Sequence, residues 1–519
     1  MSIENNGRTR TRRRRSRGGD AASATPLRKV DYHNLKNPFP TMNVFPDHQI
    51  ADMHNTALRL LEEMGMKVLL PEARKIYAAA GARIDEDNEM VFIGRDIVEA
   101  ALETAPKSIL LKAGNSARDI IYELGRLNFQ AGAGAPNATD LERGRRPGSA
   151  RDYNEYLKLT QHYDVFQMIS PQVEPQDVPT NLRHYFTTKA QLELSDKFPF
   201  TFARGKPQVM DNFEMIRDFR GVSDEEFKAN AHTYTIINTN SPRMLDIPMA
   251  QGLIDYAKFG QMSIVTPFCL MGAMAPITVA GAITLSHAEV LASLTLAQLV
   301  NPGAPVSYGT FTSNVDMKSG APAFGTSAHF QASLAAGQMA RLLGLPWRCA
   351  AGSASNINDV QAANENQTGL WGCLMAGATV IIHSAGWLEG GLSVSYEKLI
   401  TDVEVLNMIA EMCAGAQAGA NEIGFDNALR HVDPGGHFFS TPQTMERYNT
   451  EFYSPIVHDY ANFGTWTERG AQNASVRATS VWKKILAEFT PPETDSSKSE
   501  ALEAFISKRT AEGGAPPES

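Results

Sequence analysis

The sequence predicts an α/β protein whose central domain is a (β/α)8 barrel, with a mostly helical N-terminal extension and an irregular C-terminal segment packed on the barrel. Short apolar segments alternate with longer amphipathic ones from Asn128 onward, and eight such pairs fit into about 290 residues. Polar or aromatic residues stand where each predicted strand gives way to the next helix. The stretch Ala304–Ala328 shows the whole pattern: a strand, a loop rich in Gly, Pro and Ser, and a helix start capped by Thr326 or Ser327.

The composition is that of a globular protein with a large core. The chain has 519 residues, of which 43% are hydrophobic and 20% are charged, and a formal net charge of -9. The negative charge argues against general nucleic-acid binding. No apolar run has the length and flanks of a secretory signal or a membrane span, so we expect a cytoplasmic protein without a membrane contact. The four cysteines lack metal-binding spacing, which predicts reduced, buried thiols.

Residues 1–44 are predicted to be a disordered, Arg-rich tail followed by an extended segment. Seven arginines fall between Arg8 and Arg17 among Thr, Ser and Gly, with no apolar residue to bury. A solvated tail is the simplest interpretation, and a contact with RNA, a membrane or a protein partner is the alternative.

Residues 45–125 are predicted to form a mostly helical unit, because apolar residues recur at spacings of three and four from Asp47 to Gly65 and again in Pro71–Ala80 and Gly94–Ala105. The barrel is predicted over residues 126–420. Residues 421–489 are aromatic-rich and are expected to pack on the barrel, with a final helix at Ala474–Phe489. Residues 490–519 are polar and are expected to be disordered.

Each of the eight predicted strands precedes a predicted helix. The strands are Asn128–Gly134, Val165–Gln172, Phe198–Gly205, Tyr234–Ser241, Ser263–Gly272, Pro305–Ser313, Arg348–Ser355 and Thr379–Trp387. The helices are Ala150–Tyr163, Leu182–Leu194, Gln208–Phe219, Ile247–Phe259, Ala275–Val300, Ser327–Gly344, Asn358–Gly377 and Thr401–Gly419. Because barrel sites lie at the carboxyl ends of the strands, the residues there are expected to converge on one pocket.

Familiar catalytic motifs are missing from the sequence. There is no phosphate-binding G-x-x-x-x-G-K-[ST] loop, no G-x-S-x-G elbow and no H-E-x-x-H. Gly132–Ala135 follows a strand but lacks the third Gly of a dinucleotide site. The His residues are dispersed, so we predict no metal site and assign no catalytic acid or base from the sequence.

The predicted pocket mouth is rich in aromatic residues and poor in charge. Its rings are Phe268, Tyr308, Phe311, Phe324, Trp371 and Trp387, with Tyr396 and Trp466 as additional candidates. Its carboxylates are Asp316, Glu365 and Glu389. Aromatic faces with few charges suit a quaternary ammonium ligand, which ring quadrupoles attract and which cannot donate a hydrogen bond. The alternative for any single ring is a place in the core.

Three blocks of the sequence resemble the trimethylamine methyltransferase family, in the branch without pyrrolysine. They are IADMHNTALRLLEEMGMKV near the start, the middle run from Phe268 to Ala328 with its A-P-x-T-x-A-G, NPGAPV and SGAPAFGT segments, and DPGGHFF with the aromatic segment after it. The resemblance covers residues 45 to 485.

The resemblance implies a (β/α)8 barrel that transfers a methyl group from an amine to the cobalt of a separate corrinoid protein. It implies that cob(I)alamin is carried by that partner and that this chain binds no cofactor directly. Family members without pyrrolysine act on quaternary amines such as glycine betaine, carnitine or proline betaine. This sequence has only standard residues, so it departs from the pattern for trimethylamine.

Substrate-binding roles follow from these expectations. Phe311, Phe324, Trp371 and Trp387 are predicted to surround the methylammonium group. The substrate carboxylate is assigned to Arg204, to His383 or to backbone N–H groups at the helix start near Thr326. Asp316 is a candidate to balance the cation.

Two other functions remain open, and so does the assembly. One is a barrel methyltransferase that passes the methyl directly to folate or a thiol, and the other is a non-catalytic protein that binds quaternary amines. A homo-oligomer is expected, because large barrels with long apolar helices such as Ala275–Val300 often self-associate.

Overall fold

The structure is a computed structural model that describes residues 30–518. Residues 1–29, which hold the seven arginines of the predicted tail, lie outside the described residues. Two compact units divide the described chain. One contains residues 31–416 together with 455–518, and the other contains residues 417–454 together with Val30.

Short strands alternate with longer helices along the described residues. The strands are β1 (Met66–Val68), β2 (Arg83–Asp85), β3 (Met90–Phe92), β4 (Ser108–Leu111), β5 (Ile120–Glu123), β6 (Asn128–Phe129), β7 (Asn137–Thr139), β8 (Arg146–Pro147), β9 (Tyr234–Ile237), β10 (Met244–Leu245), β11 (Met262–Val265), β12 (Leu270–Met271), β13 (Val306–Gly309), β14 (Ser313–Val315), β15 (Pro322–Ala323), β16 (Trp347–Ala350), β17 (Val380–Ile382), β18 (Trp387–Leu388) and β19 (Ser393–Ser395). The helices are α1 (Asp47–Glu63), α2 (Pro71–Ala79), α3 (Arg95–Thr104), α4 (Ala150–His162), α5 (Arg183–Leu194), α6 (Lys206–Arg220), α7 (Asp224–Ala229), α8 (Ile247–Lys258), α9 (Val279–Val300), α10 (Ser327–Leu343), α11 (Val360–Met375), α12 (Tyr396–Ala414), α13 (Ala420–Ile423), α14 (Pro442–Arg447), α15 (Phe463–Glu468), α16 (Ala474–Glu488) and α17 (Ser496–Ala511).

A curled parallel sheet stands at the centre of the larger unit. Strands β6, β17, β16, β13, β11 and β9 lie side by side in that order, and every neighbouring pair is parallel. These strands are buried on both faces, which is why their sequences are mostly apolar and do not alternate with exposed polar residues. Isolated parallel bridges continue the pairing past both edges: Phe129 with Phe166, Met168 with Phe198, and Phe200 with Tyr234. The fold is therefore of the mixed α/β kind.

The second and third predicted strands are less regular than the sequence indicated. Val165–Gln172 and Phe198–Gly205 make isolated bridges, whereas the other six predicted strands contain true strands. Pro171 and Pro199 each remove a backbone donor from these segments. A strand segment that lacks this N–H group forms fewer hydrogen bonds with its neighbouring strands.

The N-terminal residues contain β-structure as well as the predicted helices. Strands β1 to β3 form a sheet with β10, and β4 pairs with β5 as a hairpin. Side chains of the hairpin, including Leu111 and Tyr122, join a buried cluster with Met262, Ile264 and Val380 of the central sheet. The N-terminal segment therefore closes part of the central core.

Helix α9 is apolar on every side because it is surrounded by its own chain. By length and composition it is the one helix of the described residues that could cross a membrane, but 78% of its apolar window is buried inside the protein. Helices α1, α3, α8 and α10 pack against it. Burial on all sides is the ordinary cause of a helix without a polar face.

Residues 496–511 form a helix, contrary to the expected disorder of residues 490–519. Helix α17 begins after Asp495, whose side chain accepts a hydrogen bond from the Ser497 N–H, and it packs against α6. Leu502 is buried, and Arg509 bonds both carboxylate oxygens of Asp211. A polar helix can be ordered by a few specific contacts that its composition does not reveal. Upstream, α16 packs against α12 and α4.

Residues 417–454 make up most of the smaller unit, which holds two short helices, α13 and α14. Within it, Arg447 pairs with Glu422 at 3.2 Å, and Arg430 lies over the ring of Phe425.

Candidate functional site

Five rings gather where strands of the central sheet end, and we call them the ring cluster. They are Phe268, Phe311, Phe324, His383 and Trp387. The centroid of Phe311 lies 5.0 Å from Phe268, 5.2 Å from Phe324, 5.2 Å from His383 and 5.7 Å from Trp387. Trp387 stacks on His383 at 4.4 Å and meets Phe324 edge-on at 5.0 Å. Phe324 and Trp387 are buried, whereas Phe268 and Phe311 are partly exposed.

Neighbouring strand ends bring these rings together. Phe311 follows β13 by two residues, and His383 follows β17 directly. Because β13 and β17 flank β16 in one parallel sheet, their carboxyl ends lie at the same edge. Phe324 follows β15 and stands just before the Thr326 side chain, which accepts the N–H of His329 and caps α10.

Trp387 is held by glycines that leave room for its indole. A Cβ on Gly352 would lie 2.3 Å from the indole, and one on Gly391 would lie 2.5 Å from it. Both glycines have positive φ, which a larger residue rarely adopts. One residue before the indole, the Gly386 N–H donates to Asp402, which forms a buried ion pair with Lys398 at 2.9 Å. The indole is therefore fixed from both sides and through its backbone.

A buried arginine lies against the ring cluster. Arg348, in β16, is 2% exposed, and its guanidinium carbon is 4.9 Å from the Phe311 centroid. Nη1 donates to the Thr310 carbonyl at 2.7 Å, and Nη2 donates to His383 Nε2 at 3.5 Å. Burial lowers the pKa of Arg348 to about 10, so the side chain is still a cation at neutral pH.

His383 is neutral in this setting. Burial is the main cause that lowers its pKa well below the ordinary value, and the charge of Arg348 adds to the effect. Its backbone has φ of 56°, which is uncommon for a residue with a side chain. Three buried polar atoms in contacting side chains lack a hydrogen-bond partner among residues 30–518: Nδ1 of His383, Nε1 of Trp387 and Nε of Arg348. The site thus combines aromatic faces, one fixed cation and unused polar atoms.

Two of the predicted aromatic residues lie apart from the ring cluster. Tyr308 points to the opposite face of β13 from Ser307, and its hydroxyl lies 3.2 Å from Nδ1 of His287 in α9. Successive strand residues alternate in direction, which explains this placement. Trp371 lies on α11 and packs edge-on against Phe39 at 6.4 Å.

The predicted charged residues have partners of their own. Arg204 donates to Glu174 at 3.0 Å and covers the ring of Phe202. Asp316 is exposed and accepts hydrogen bonds from Ser319 within its own turn. The remaining four carboxylate and aromatic candidates are also engaged elsewhere: Glu365 accepts from Ser353 and from the N–H groups of Ala354 and Ser355, Glu389 pairs with Arg145, Tyr396 donates to Asp152 and Glu155, and Trp466 packs on Phe463.

Arg348 is the site residue that the sequence analysis missed. The sequence does contain a sign of it, because Arg348 is a charged residue in the otherwise apolar strand Trp347–Ala350. A charge in a strand that is buried on both faces requires a specific partner or a function.

Comparison with known proteins places the chain in a family. The profile of trimethylamine methyltransferase (MTTB) matches residues 8–514. Glycine betaine methyltransferase of Desulfitobacterium hafniense (strain Y51) is 31% identical over 477 residues, which cover 92% of this chain and 98% of that protein. Trimethylamine methyltransferase MttB of Desulfitobacterium hafniense (strain DSM 10664 / DCB-2) is 26% identical over 474 residues, which cover 91% and 94%.

A solved structure covers a similar share of the chain. The crystal structure of the Methanosarcina barkeri monomethylamine methyltransferase (MtmB) covers 92% of this chain and 96% of its own, with 10% identity and a TM-score of 0.43. The family profile spans almost the whole sequence, and the first relative exceeds 30% identity over nearly its full length. This chain therefore belongs to the trimethylamine methyltransferase family.

Proposed function

We propose that this protein transfers a methyl group from a quaternary, betaine-like amine to the cobalt of a separate corrinoid protein. The observation that carries the proposal is the ring cluster, in which the partly exposed ring of Phe311 contacts each of the other four rings, including a buried Phe, a buried Trp and a neutral His. Such faces attract a tetraalkylammonium ion, which has no N–H group and therefore needs no hydrogen-bond acceptor. The relatedness to a protein named glycine betaine methyltransferase supports this class of substrate.

The chain's own contribution to the reaction is to bind and orient the substrate. The reduced cobalt of the partner supplies the electron pair for the new bond to carbon. The electron pair of the broken C–N bond stays on nitrogen, so the product amine leaves neutral and no acid has to protonate it. Holding one methyl group in line with the nucleophile is then the main task. The ring cluster lacks an acid–base pair, which suits this chemistry.

We also propose that eight strand segments close into a (β/α)8 barrel. The isolated parallel bridges support closure, because together they connect β6 through Phe166, Met168, Phe198 and Phe200 to β9. In a closed barrel, the carboxyl-end rim would be the face open to a macrocycle on another protein.

Methyl transfer and ring variants test the function directly. We expect the purified protein, mixed with glycine betaine and a reduced corrinoid protein, to change the visible spectrum of the cobalt. The double variant Phe311→Leu and Phe324→Leu keeps apolar volume but removes two ring faces. We expect it to weaken glycine betaine binding by about tenfold or more, as measured by calorimetry.

Trp371→Phe is the matched control, because Trp371 is a predicted ring that lies against Phe39 outside the ring cluster. It should leave the affinity unchanged. No methyl transfer to cobalt from any quaternary amine, or equal affinity in the double variant and the wild type, would overturn the proposal.

A further inference from the structure

Arg348 is a buried cation without a carboxylate partner among residues 30–518. Its guanidinium donates hydrogen bonds to a backbone carbonyl and a neutral imidazole and lies against the face of Phe311. None of them carries a full negative charge, and Nε has no hydrogen-bond partner in the described chain. Buried charges in proteins are normally paired, because desolvation without a counter-charge is costly. An arginine kept in this state therefore points to an anion that arrives with a ligand.

The position of Arg348 relative to the rings determines what kind of anion fits. The guanidinium lies 4.9 Å from the centroid of Phe311, which itself lies within 6 Å of Phe324 and Trp387. A cationic group held by these rings would therefore sit only a few ångströms from a second fixed cation. The two like charges repel each other unless a negative charge stands between them.

We propose that Arg348 binds the carboxylate of a zwitterionic substrate, and that it thereby makes the site selective for quaternary amines with a carboxylate a few bonds from the nitrogen. This inference rests on the proposed function, since it assigns the anionic end of the same ligand. Guanidinium is well suited to the role, because its planar donors match a carboxylate and it stays charged when buried.

The residues that the sequence suggested for this role are engaged elsewhere. Arg204 pairs with Glu174 at 3.0 Å, although Arg183 shares that carboxylate at 2.5 Å, and its guanidinium lies over the ring of Phe202. At the helix start near Thr326, the His329 N–H donates to the Thr326 side chain and the Phe330 N–H donates to the Thr326 carbonyl. His383 is neutral and contributes a hydrogen bond to Arg348 rather than a charge.

Ligand pairs that differ only in charge test the inference on the wild-type protein. Calorimetry compares glycine betaine with its methyl ester and with choline, which keep the trimethylammonium group but lack the carboxylate. We expect both neutral-ended cations to bind about 100-fold more weakly. Equal affinities would overturn the proposal without any variant.

Variants then locate the selectivity. Arg348→Gln should weaken glycine betaine binding by about 100-fold and leave choline binding unchanged or stronger, so that the preference disappears. Arg348→Lys keeps the charge and should retain part of the preference. Arg204→Gln is the matched control and should leave it intact, with thermal unfolding used to confirm that each variant is folded. A preference that survives Arg348→Gln, or is lost in Arg204→Gln, would overturn the assignment.

The outcomes separate this inference from the proposed function. If trimethylammonium compounds bind but show no preference for a carboxylate, the assignment of Arg348 fails and the methyl-transfer proposal stands. If no quaternary amine binds at all, both proposals fail.

Discussion

Asp255, in α8, is a buried carboxyl group with too few hydrogen-bond donors. Gln251 donates to Oδ1 at 3.0 Å, whereas Oδ2 has no partner among the described residues, and the residue is 1% exposed. Burial raises its pKa to about 6. At pH 8 the folded protein therefore holds a poorly solvated charge, which opposes folding.

Replacing this side chain by Asn should stabilise the protein at high pH. Between the unfolded pKa of 3.8 and about 6, the folded state binds more protons at Asp255 than the unfolded state does. The stability from this group is therefore complete at low pH and is lost as pH rises through 6. We expect Asp255→Asn to raise the free energy of unfolding at pH 8 by about 1–2 kcal/mol and by less than half as much at pH 4.5, where only part of the loss has occurred.

Urea unfolding at the two pH values measures this difference. Asp218→Asn is the control, because it makes the same change at an exposed carboxylate on α6. A gain at pH 4.5 as large as that at pH 8 would contradict the explanation.

Residue patterns identified much of the ring cluster but not its charge. Phe268, Phe311, Phe324 and Trp387 were found because aromatic residues after strand ends converge in a parallel sheet. Tyr308 was misplaced, since the sequence does not say which face of a strand looks inward. Arg348 was overlooked because it interrupts an apolar strand, and only the structure shows that no carboxylate of the described chain balances it.

The loop between β16 and α11 leaves space for the Trp387 indole because it has a glycine, without a side chain, next to that ring. Gly352 lies in this loop with φ of 112°. Gly352→Ala combines an unfavourable backbone with a Cβ 2.3 Å from the indole, so the ring must move. We expect this variant to weaken quaternary ammonium binding by about tenfold or more, measured by calorimetry.

Gly303→Ala separates strain from crowding. Gly303 also has positive φ, at 89°, but no atom lies within 4 Å of the added Cβ. It should cost about 1 kcal/mol of stability and leave binding unchanged. Equal losses of affinity in the two variants would show that the displaced indole is not the cause.

Secondary structure followed from the sequence where local pattern decides it. Long periodic segments gave α4 to α6 and α8 to α11 close to the predicted bounds, and continuous apolar runs gave six strands of the central sheet. Helix α7 was not predicted, and α12 begins and ends five residues earlier than predicted. The predictions departed from the structure where single contacts decide: Pro171 and Pro199 reduce two strands to bridges, and α17 is ordered by Arg509 and Leu502. The composition of a segment is an average over its residues, so it does not predict the effect of a single proline or of a single contact.

At the scale of the whole molecule, the burial of α9 removes one of the reasons for expecting a homo-oligomer. A homo-oligomer was expected partly from the apolar character of that helix, yet α1, α3, α8 and α10 of the same chain cover it. Packing within one chain is therefore enough to explain why α9 is apolar. Self-association stays a prediction, and α9 no longer supports it.

The two distant parts of the larger unit are joined at Asp211. This carboxylate is 7% exposed; burial opposes its ionisation, but hydrogen bonds from His184, Tyr185 and Arg509 together lower its pKa. Arg509, in α17, supplies a bidentate pair at 3.1 Å and 3.2 Å from almost 300 residues further along the chain. Removing one member of a buried pair leaves the other charge poorly compensated.

Arg509→Gln is therefore expected to lower the free energy of unfolding by about 1–3 kcal/mol at pH 7. Because the pKa of Asp211 is lowered in the folded state, its contribution is present above the unfolded value of 3.8 and is lost as pH falls through the folded value. The deficit should accordingly shrink when urea unfolding is repeated at pH 3. Lys508→Gln, an exposed change one residue away, should be silent at both pH values. If Arg509→Gln lowered the free energy of unfolding no more than Lys508→Gln does, the ion pair with Asp211 would not be what holds α17 to α6.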